Sequence, residues 1–470
     1  MRRLSSRRFL QIASIVFLLG AAAPRVRTDS KPASDLDAEI DRIVRKVLAA
    51  TGVPSASIAV VKDGQLAYVQ AYGSARLDPS TPARPDMRYS IGSISKQFTA
   101  TAILMLAERN KLSLEDPVSR FLPMLVRASD VTIRELLSHT SGYQDYWPQD
   151  YVPPFMLHEI RADEILDGWA RKPLDFEPGT QWQYSNTNYV IAGLIVEKAE
   201  GMPFLEFLRT QVFAPLGLKD VVDVNRDRLG ETDPAGYLRY GLGPPRPAPK
   251  EGRGWLFAAG ELAMTAKDLA RWNIGMLDRR LLKPASYAQM ETEVRLENGL
   301  GTRYGLGIDV TMVSGHRALE HGGEVSGFTA SNMVFPDDRA AVSVLTNQDS
   351  SGAASAIAGQ IAPLLLEKQD GAKEALARQI FEDLQQGKIR RSLFTENANS
   401  YFTEQAIQDF SNSLAPLGKP RQFKAIRRQD RGGMTFRLFE VKFPSKTLEV
   451  WERDMPDGKI EQYQVMAKDS

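Results

Sequence analysis

The chain has 470 residues, of which 43% are hydrophobic and 25% are charged, and it contains four histidines and no cysteine. An apolar fraction of this size can bury a large core, which excludes a wholly disordered chain. The lack of cysteine excludes thiol nucleophiles, disulfide frameworks and thiolate zinc sites. A formal net charge of +1, without a large basic cluster, excludes a typical nucleic-acid-binding protein. We therefore expect chemistry based on oxygen or nitrogen nucleophiles, with no metal and no cofactor.

The N-terminus has the pattern of an export signal. Four arginines within the first eight residues precede an apolar run at 12–23, which is shorter than the ~20 residues of a membrane-spanning helix. We predict a signal peptide over residues 1–23 and a periplasmic or extracellular mature protein without a membrane span. Residues 6–10, S-R-R-F-L, also resemble a twin-arginine signal. An uncleaved N-terminal anchor is the alternative.

The first elements after this signal are a helix and a hairpin. Apolar residues at helical spacing predict a helix over Asp35–Ala50. Ser55–Val61 and Gln65–Ala71 are strand-like and are joined by Asp63-Gly64, a dipeptide typical of tight hairpins. Ser93–Ala107 is apolar on nearly every side beyond its first turn, which predicts a buried helix.

Strand character returns near the end of the first 370 residues. The prolines of Gly241–Pro249 place that segment at the surface. The predicted strands are Tyr304–Val313, Phe328–Phe335 and Ala340–Thr346, and a helix follows at Ala353–Glu367. One antiparallel sheet is thus assembled from both ends of residues 30–368, flanked by helices and with an all-helical region inserted.

A second, smaller α+β domain is predicted at residues 372–470. Gln369–Gly371 marks the boundary, and a helix follows that ends near Gly387. Four strands are predicted after it, at Gln422–Arg428, Met434–Phe443, Thr447–Trp451 and Ile460–Met466. The chain is therefore assigned to the α/β (α+β) class.

Ser93-Ile94-Ser95-Lys96 is the first candidate for chemistry, because its serine lies where the buried helix begins. Residues three apart share a helix face, so the Lys96 amine can reach the Ser93 hydroxyl. The helix N-terminus and a low-dielectric wall both lower the lysine pKa, which lets the amine act as a base. A capping serine with a surface lysine would have the same pattern, but the apolar helix favours the functional interpretation.

Two further motifs could complete such a site. Tyr184-Ser185-Asn186 offers a phenol that can shuttle a proton and an amide that can bind a substrate. His321-Gly322-Gly323 lies at the edge of a predicted strand, where two glycines let a substrate lie against the backbone. The N–H of the next residue, Glu324, would point into the site. Taken singly, a sequence such as Tyr184-Ser185-Asn186 is more often a turn, and a sequence such as His321-Gly322-Gly323 is more often a glycine bulge.

In this order and at these spacings, the three motifs resemble those of the serine β-lactamase and penicillin-binding superfamily, most closely its class C β-lactamase-like branch. The resemblance covers residues 35–365. It includes the segments Leu136–Gly142, L-L-S-H-T-S-G, Phe213–Leu218, F-A-P-L-G-L, and Gly260–Ala270, G-E-L-A-M-T-A-K-D-L-A. It implies a β-lactamase/transpeptidase-like fold and a serine hydrolase.

The resemblance also implies roles for individual residues. Ser93 is expected to be the acylated nucleophile, Lys96 its activating neighbour, and Tyr184 the partner base and the acid for the leaving group. Asn186 would contact the substrate. The backbone N–H groups of Ser93 and Glu324 would form the oxyanion hole.

The remaining histidines are expected to lie outside the chemistry. His139, in the H-T-S-G sequence, is expected to hold the loop before the Tyr184 segment. His158 and His316 belong to no motif and are expected at the surface.

The third motif departs from the K-T-G or K-S-G usual in enzymes that hydrolyse β-lactams or cleave D-alanyl-D-alanine. His321 replaces the lysine, and Gly322 replaces the hydroxyl residue. A histidine near its reference pKa of ~6.5 is mostly neutral at pH 7, and a lost charged hydrogen bond costs about 1.5–3 kcal/mol. Weak recognition of a substrate carboxylate is therefore expected.

The leading hypothesis is an exported serine hydrolase that cleaves a small-molecule or peptide ester or amide as an esterase or a peptidase/amidase. A D-alanyl-D-alanine carboxypeptidase or a β-lactamase is the alternative, and a non-catalytic penicillin-binding sensor is the second alternative. The C-terminal domain is assigned an accessory role, either covering the mouth of the site or mediating self-association. The natural substrate and the oligomeric state cannot be read from the sequence.

Overall fold

The computed structural model describes residues 35–366, 369–431, 433–455 and 457–468, so the predicted signal at 1–23 lies outside the described residues. The helices are α1 Asp35–Thr51, α2 Ser95–Glu108, α3 Ile133–Leu137, α4 Ala162–Ile165, α5 Asn186–Glu200, α6 Phe204–Leu208, α7 Ala214–Leu216, α8 Ala266–Leu277, α9 Pro284–Met290, α10 Ala353–Leu365, α11 Gln369–Gln385, α12 Glu396–Tyr401 and α13 Glu404–Leu414.

The strands are β1 Ser55–Lys62, β2 Gln65–Leu77, β3 Ser80–Pro82, β4 Tyr89–Ser90, β5 Val222–Asp223, β6 Tyr237–Leu238, β7 Arg246–Pro247, β8 Leu262–Met264, β9 Asp309–Val313, β10 His316–Val325, β11 Phe328–Phe335, β12 Ala340–Thr346, β13 Gln422–Arg431, β14 Met434–Lys442, β15 Thr447–Asp454 and β16 Ile460–Ala467.

A seven-stranded antiparallel sheet forms the centre of the N-terminal part, in the order β3-β2-β1-β12-β11-β10-β9. Near the centre of this sheet β1 pairs with β12, so strands from the beginning and from the end of residues 35–366 lie side by side. The turn between β1 and β2 places Asp63 at a φ of 53° and Gly64 at a φ of 73°, the left-handed region that a tight hairpin turn requires. The predicted fold class, an antiparallel sheet flanked by helices, is confirmed.

Each face of this sheet buries its own apolar core. On one face, α1 and α10 pack over the sheet. On the other face, α8 packs on β1 and β12, and the larger core continues to α2 and α5. Because α2 lies inside this larger core, it is buried along almost its whole length, as its apolar sequence predicts.

Two expectations about strands near the site were wrong. The strand predicted at Tyr304–Val313 begins only at Asp309. Gly307 has a φ of 76°, and a Cβ there would lie 2.8 Å from the Lys96 carbonyl oxygen, so the chain turns against α2 before the strand starts. The His321-Gly322-Gly323 sequence lies inside a strand, β10, rather than at the edge of one.

The C-terminal residues form a four-stranded antiparallel sheet, β13-β14-β15-β16, with a separate apolar core shared with α11 and α13. The four predicted strands are present, whereas α12 and α13 were not predicted because their sequences are mostly polar. Gln369–Gly371, the expected boundary, begins α11. None of the helices that the structure describes is long and apolar enough to span a membrane.

Candidate active site

Ser93 and Lys96 lie together at the start of α2. A short 3-10 turn, Gly92–Ile94, carries Ser93 into the helix, and Lys96 follows in its first turn. Ser93 is partly exposed, whereas the Lys96 side chain is 0% exposed. The hydroxyl therefore faces the cavity while the amine lies beneath it.

The Lys96 amine has three close partners. Its nitrogen lies 3.0 Å from the Ser93 Oγ, 2.8 Å from the Asn186 Oδ1 and 2.8 Å from the Ala259 carbonyl oxygen. Burial lowers the pKa of Lys96 to about 7, against a smaller opposing effect of the nearby Asp145 carboxylate. The Asn186 and Ala259 oxygens can only accept, so they take both N–H groups of a neutral amine. The lone pair is then left for the Ser93 hydroxyl proton.

Tyr184 completes the immediate surroundings of Ser93. The Lys96 nitrogen lies 4.9 Å from the centre of the Tyr184 ring, and the Tyr184 hydroxyl interacts with the Ser93 hydroxyl. Burial raises the pKa of Tyr184, and the Ser93 contact offsets this only in part. Tyr184 is therefore a phenol at neutral pH and can donate a proton.

Asn186 is held by Asp145, which sequence reasoning did not identify. The Asp145 carboxylate accepts the Asn186 backbone N–H at 2.9 Å and lies 3.4 Å from its side-chain nitrogen. Because a carboxylate only accepts, this contact turns the Asn186 Oδ1 toward Lys96. Burial raises the pKa of Asp145, and its contacts with the Asn186 and Trp147 backbones oppose this. The sequence signal for Asp145 is only its place three residues after L-L-S-H-T-S-G.

The second half of β10 has an open edge beside Ser93. β9 pairs with β10 only as far as Glu320, so residues 321–325 are paired on one side, with β11. The hairpin of β10 and β11 closes with the hydrogen-bonded pair Val325 and Phe328. Hydrogen-bonded and non-hydrogen-bonded pairs alternate along an antiparallel ladder, so the pair that contains Glu324 is not hydrogen-bonded. The Glu324 N–H therefore points away from β11, to the open edge. A Cβ on Gly92 would lie 2.6 Å from the Glu324 nitrogen, which brings this N–H next to the Ser93 backbone.

His321 is buried as a neutral imidazole. It is 5% exposed, and burial lowers its pKa to about 4, with a further contribution from Lys96. Its Nδ1 donates to the Gly322 carbonyl at 2.5 Å, so its Nε2 accepts from the Tyr304 hydroxyl at 2.9 Å. Tyr304 was also missed, because its segment was expected to be a regular strand.

His139 supports the Tyr184 segment from behind, as expected. Its ring centre lies 4.3 Å from that of Tyr184, and its Nδ1 accepts the Ser185 N–H at 3.2 Å. His158 is exposed, but the expectation for His316 was wrong. His316 is buried at the start of β10 because its Nδ1 lies 2.8 Å from the Asp338 carboxylate, which satisfies it there.

The structure brings the predicted site residues together around one cavity of about 800 Å³. The members that line it are Ser93, Tyr184, Asn186, His321, Gly322, Gly323 and Glu324. Lys96 lies beneath this wall, within reach of Ser93. The cavity thus holds a hydroxyl with an adjacent amine, a phenol and two neighbouring backbone N–H groups, which are the components of an acyl-transfer site.

Comparison with known proteins agrees with this chemistry. The Beta-lactamase family model matches residues 40–366, which contain the whole cavity. Penicillin-binding protein 4* of Bacillus subtilis is 28% identical over 325 residues, which cover 62% of this chain and 68% of that protein. The D-aminopeptidase of Gluconobacter oxydans is 27% identical over 307 residues, which cover 63% of this chain and 56% of the relative.

A solved structure is similar over the same region. The D-stereospecific amidohydrolase from Streptomyces is 28% identical, with a TM-score of 0.60, over 68% of this chain and 96% of that one. The resemblance noted in the motifs therefore extends to the arrangement of the fold around the cavity.

Proposed function

Because the chain belongs to the beta-lactamase family of serine hydrolases, we propose that it is an exported enzyme that cleaves an ester or amide through an acyl-enzyme on Ser93. The observation that supports this proposal most strongly is the buried Lys96 amine, whose pKa is about 7. Its two partners other than Ser93 accept its N–H groups, which leaves the lone pair of the amine for the Ser93 hydroxyl proton. Export rests on the sequence pattern of residues 1–23.

In the first half of the reaction, the Ser93 oxygen attacks the substrate carbonyl carbon while Lys96 accepts the hydroxyl proton. The new C–O bond converts the carbonyl oxygen into an oxyanion, which the Ser93 and Glu324 N–H groups stabilise. The bond to the leaving group then breaks. Tyr184 donates its proton to the departing amine or alkoxide and is reprotonated from Lys96 through their shared contact with Ser93.

In the second half, water attacks the ester carbon of the acyl-enzyme and transfers a proton toward Lys96 and Tyr184. The bond to Ser93 breaks, the serine oxygen regains a proton, and the carboxylic acid product leaves. Asn186 holds the Lys96 amine in place and offers its amide edge to the substrate, since it both contacts Lys96 and lines the cavity.

Amide or ester substrates are favoured over β-lactams with a carboxylate. His321 occupies the position of the usual cation but is neutral, because burial holds its pKa at about 4. The names of the D-aminopeptidase and of the D-stereospecific amidohydrolase support an amide bond next to a D-configured residue. We rank esterase or peptidase/amidase activity first, ahead of D-alanyl-D-alanine carboxypeptidase or β-lactamase activity.

Labelling with a fluorophosphonate probe and with a fluorescent penicillin tests the nucleophile. The wild type is expected to be labelled by the fluorophosphonate and to hydrolyse p-nitrophenyl esters and D-amino-acid amides, whereas Ser93→Ala does neither. Nitrocefin turnover at a rate comparable to ester turnover would favour the β-lactamase. Penicillin labelling without hydrolysis of any substrate would favour the non-catalytic sensor.

We also propose that residues 30–368 form the catalytic unit and that 372–470 form an accessory domain. The separate apolar core of the C-terminal sheet supports this division. Arg428 of β13 donates to the Gly315 carbonyl in the turn between β9 and β10 at 2.8 Å, so the two parts are in contact beside the sheet edge. Deletion of residues 372–470 with unchanged kinetics and an unchanged oligomeric state in solution would contradict an accessory role.

A further inference from the structure

The charged side chains that line the active-site cavity are all acidic. They are Asp145, Asp150, Glu324 and Asp349, and the lining contains no lysine or arginine among the residues that the structure describes. Lys96 lies beneath the wall, with its nitrogen taken by three partners. The other basic side chain of the wall, His321, is neutral and has both ring nitrogens occupied. The cavity therefore repels a substrate carboxylate.

Glu324 and Asp349 are fixed side by side next to the proposed oxyanion hole. The Glu324 Oε1 accepts the Ser350 N–H at 2.6 Å, and the Asp349 Oδ2 accepts the Gly327 N–H at 2.9 Å. These contacts use one oxygen of each carboxylate and hold the side chain in place. Burial raises the pKa of Glu324, and the negative charges of Asp349 and Asp150 raise it further, so a cation placed among these carboxylates would relieve a repulsion that the free protein carries.

A third carboxylate lies behind this wall. Glu251 is 6% exposed, and its Oε2 is buried without a hydrogen-bond partner. It interacts electrostatically with Asp349 and with Tyr146, which both line the cavity. The neighbouring Lys250 ammonium donates to the Val224 carbonyl at 3.0 Å and does not line the cavity. Burial raises the pKa of Glu251 to about 7, and the Lys250 ammonium opposes this, so at neutral pH Glu251 adds only part of a negative charge behind Asp349.

The cavity also has an aromatic surface. It is formed by Tyr146, Trp147, Tyr151 and Trp182. Such rings accommodate an apolar side chain, and their faces also attract a cation. The cavity therefore combines apolar aromatic surface with acidic side chains.

We propose that the substrate carries a primary ammonium group next to its scissile bond, and that Glu324 and Asp349 bind this group. The backbone N–H of Glu324 faces the reacting carbonyl, so the carboxylate of Glu324 is separated from that carbonyl by little more than the length of its own side chain. An α-ammonium, two bonds from the carbonyl carbon, is at that range. The substrate class is then an amino-acid amide or ester, or a short peptide, with a free N-terminus. This inference rests on the proposed function.

The test compares two substrates that differ only at the amine, D-phenylalanine p-nitroanilide and its N-acetyl derivative. The wild type is expected to favour the free amine by about tenfold or more in kcat/KM, the range of one hydrogen bond to a charged group. Asp349→Asn and Glu324→Gln keep an oxygen for the backbone contacts but remove the charge. Each is expected to lower the ratio of the two kcat/KM values about tenfold. Glu39→Gln, on the exposed side of α1, is the charge-matched control and is expected to leave the ratio unchanged.

Each negative result has a different interpretation. A wild-type ratio near or below one, with Ser93-dependent hydrolysis of p-nitrophenyl acetate intact, would overturn this inference and leave the proposed function standing. A wild-type preference that both charge-removing variants retain would overturn the assignment to Glu324 and Asp349. Loss of all Ser93-dependent hydrolysis across esters and anilides would instead overturn the proposed function. Thermal unfolding of each variant establishes that it is folded before rates are compared.

Discussion

Gly323 lies so close to Ile91 that a Cβ atom on the glycine would stand 1.9 Å from the Ile91 carbonyl oxygen. Ile91 directly precedes the turn that carries Ser93, and Gly323 directly precedes Glu324. The contact therefore sets how closely the two proposed oxyanion N–H groups approach each other. It also explains a glycine within a strand, where glycine otherwise weakens the sheet.

Gly323→Ala is expected to lower kcat/KM at least a hundredfold and to reduce the free energy of unfolding by about 1–3 kcal/mol, because backbone must shift to admit the methyl group. Gly322→Ala is the matched control for stability, since its Cβ would meet only the Ala330 carbonyl oxygen at 4.0 Å. Urea unfolding and steady-state rates measure both effects. Equal unfolding free energies for the two variants would contradict the role of the contact.

The pH dependence of the rate is expected to follow Lys96. In the proposed mechanism the neutral amine is the active form, and burial lowers its pKa to about 7, so kcat/KM should rise with pH, with a midpoint near 7, and then level off. Asp145 raises that pKa, so Asp145→Asn should move the midpoint to lower pH even if the maximal rate falls. The control is Asp175→Asn, which removes the charge of an exposed carboxylate that accepts a hydrogen bond from Gln183. A midpoint that stays in place or moves upward would argue against Lys96 as the base.

Replacement of His321 by lysine is expected to restore recognition of a carboxylate. The imidazole stays neutral at pH 7 because its pKa is about 4, whereas an ammonium would add a charged donor to the wall. We expect His321→Lys to raise kcat/KM for nitrocefin about tenfold relative to p-nitrophenyl acetate. His158→Lys adds the same side chain at an exposed site and should change neither rate. An unchanged ratio in His321→Lys would show that the cation alone does not determine selectivity.

Tyr304→Phe is expected to destabilise the protein by about 1–3 kcal/mol, because it leaves the buried His321 Nε2 without a donor. The comparison is Tyr151→Phe, because Tyr151 is 67% exposed and the loss of its hydroxyl should cost little. Thermal and urea unfolding report the difference. Similar stabilities of the two variants would mean that the Tyr304 hydroxyl does not support β10.

Much of the fold could be predicted because its elements have local signatures. The Asp63-Gly64 turn and the apolar helix after Ser93 are examples, and β11 and β12 begin and end where their sequences predict. Two of the errors lie where a contact distant in the chain overrides the local pattern. The segment from Tyr304 to Asp309 turns to pack against α2, and His316 is buried because Asp338 reaches it.

The sequence by itself determined which residues could do chemistry, since the S-x-x-K, Y-x-N and H-G-G motifs and their order needed no coordinates. Only the tertiary structure decided how they are arranged. Lys96 meets Asn186 across 90 residues, and Asp145 fixes the orientation of that amide. The pKa of Lys96 depends on burial, and the charge of the cavity depends on which side chains face it. Both are properties of packing, which depend on residues far apart in the chain and cannot be read from local sequence.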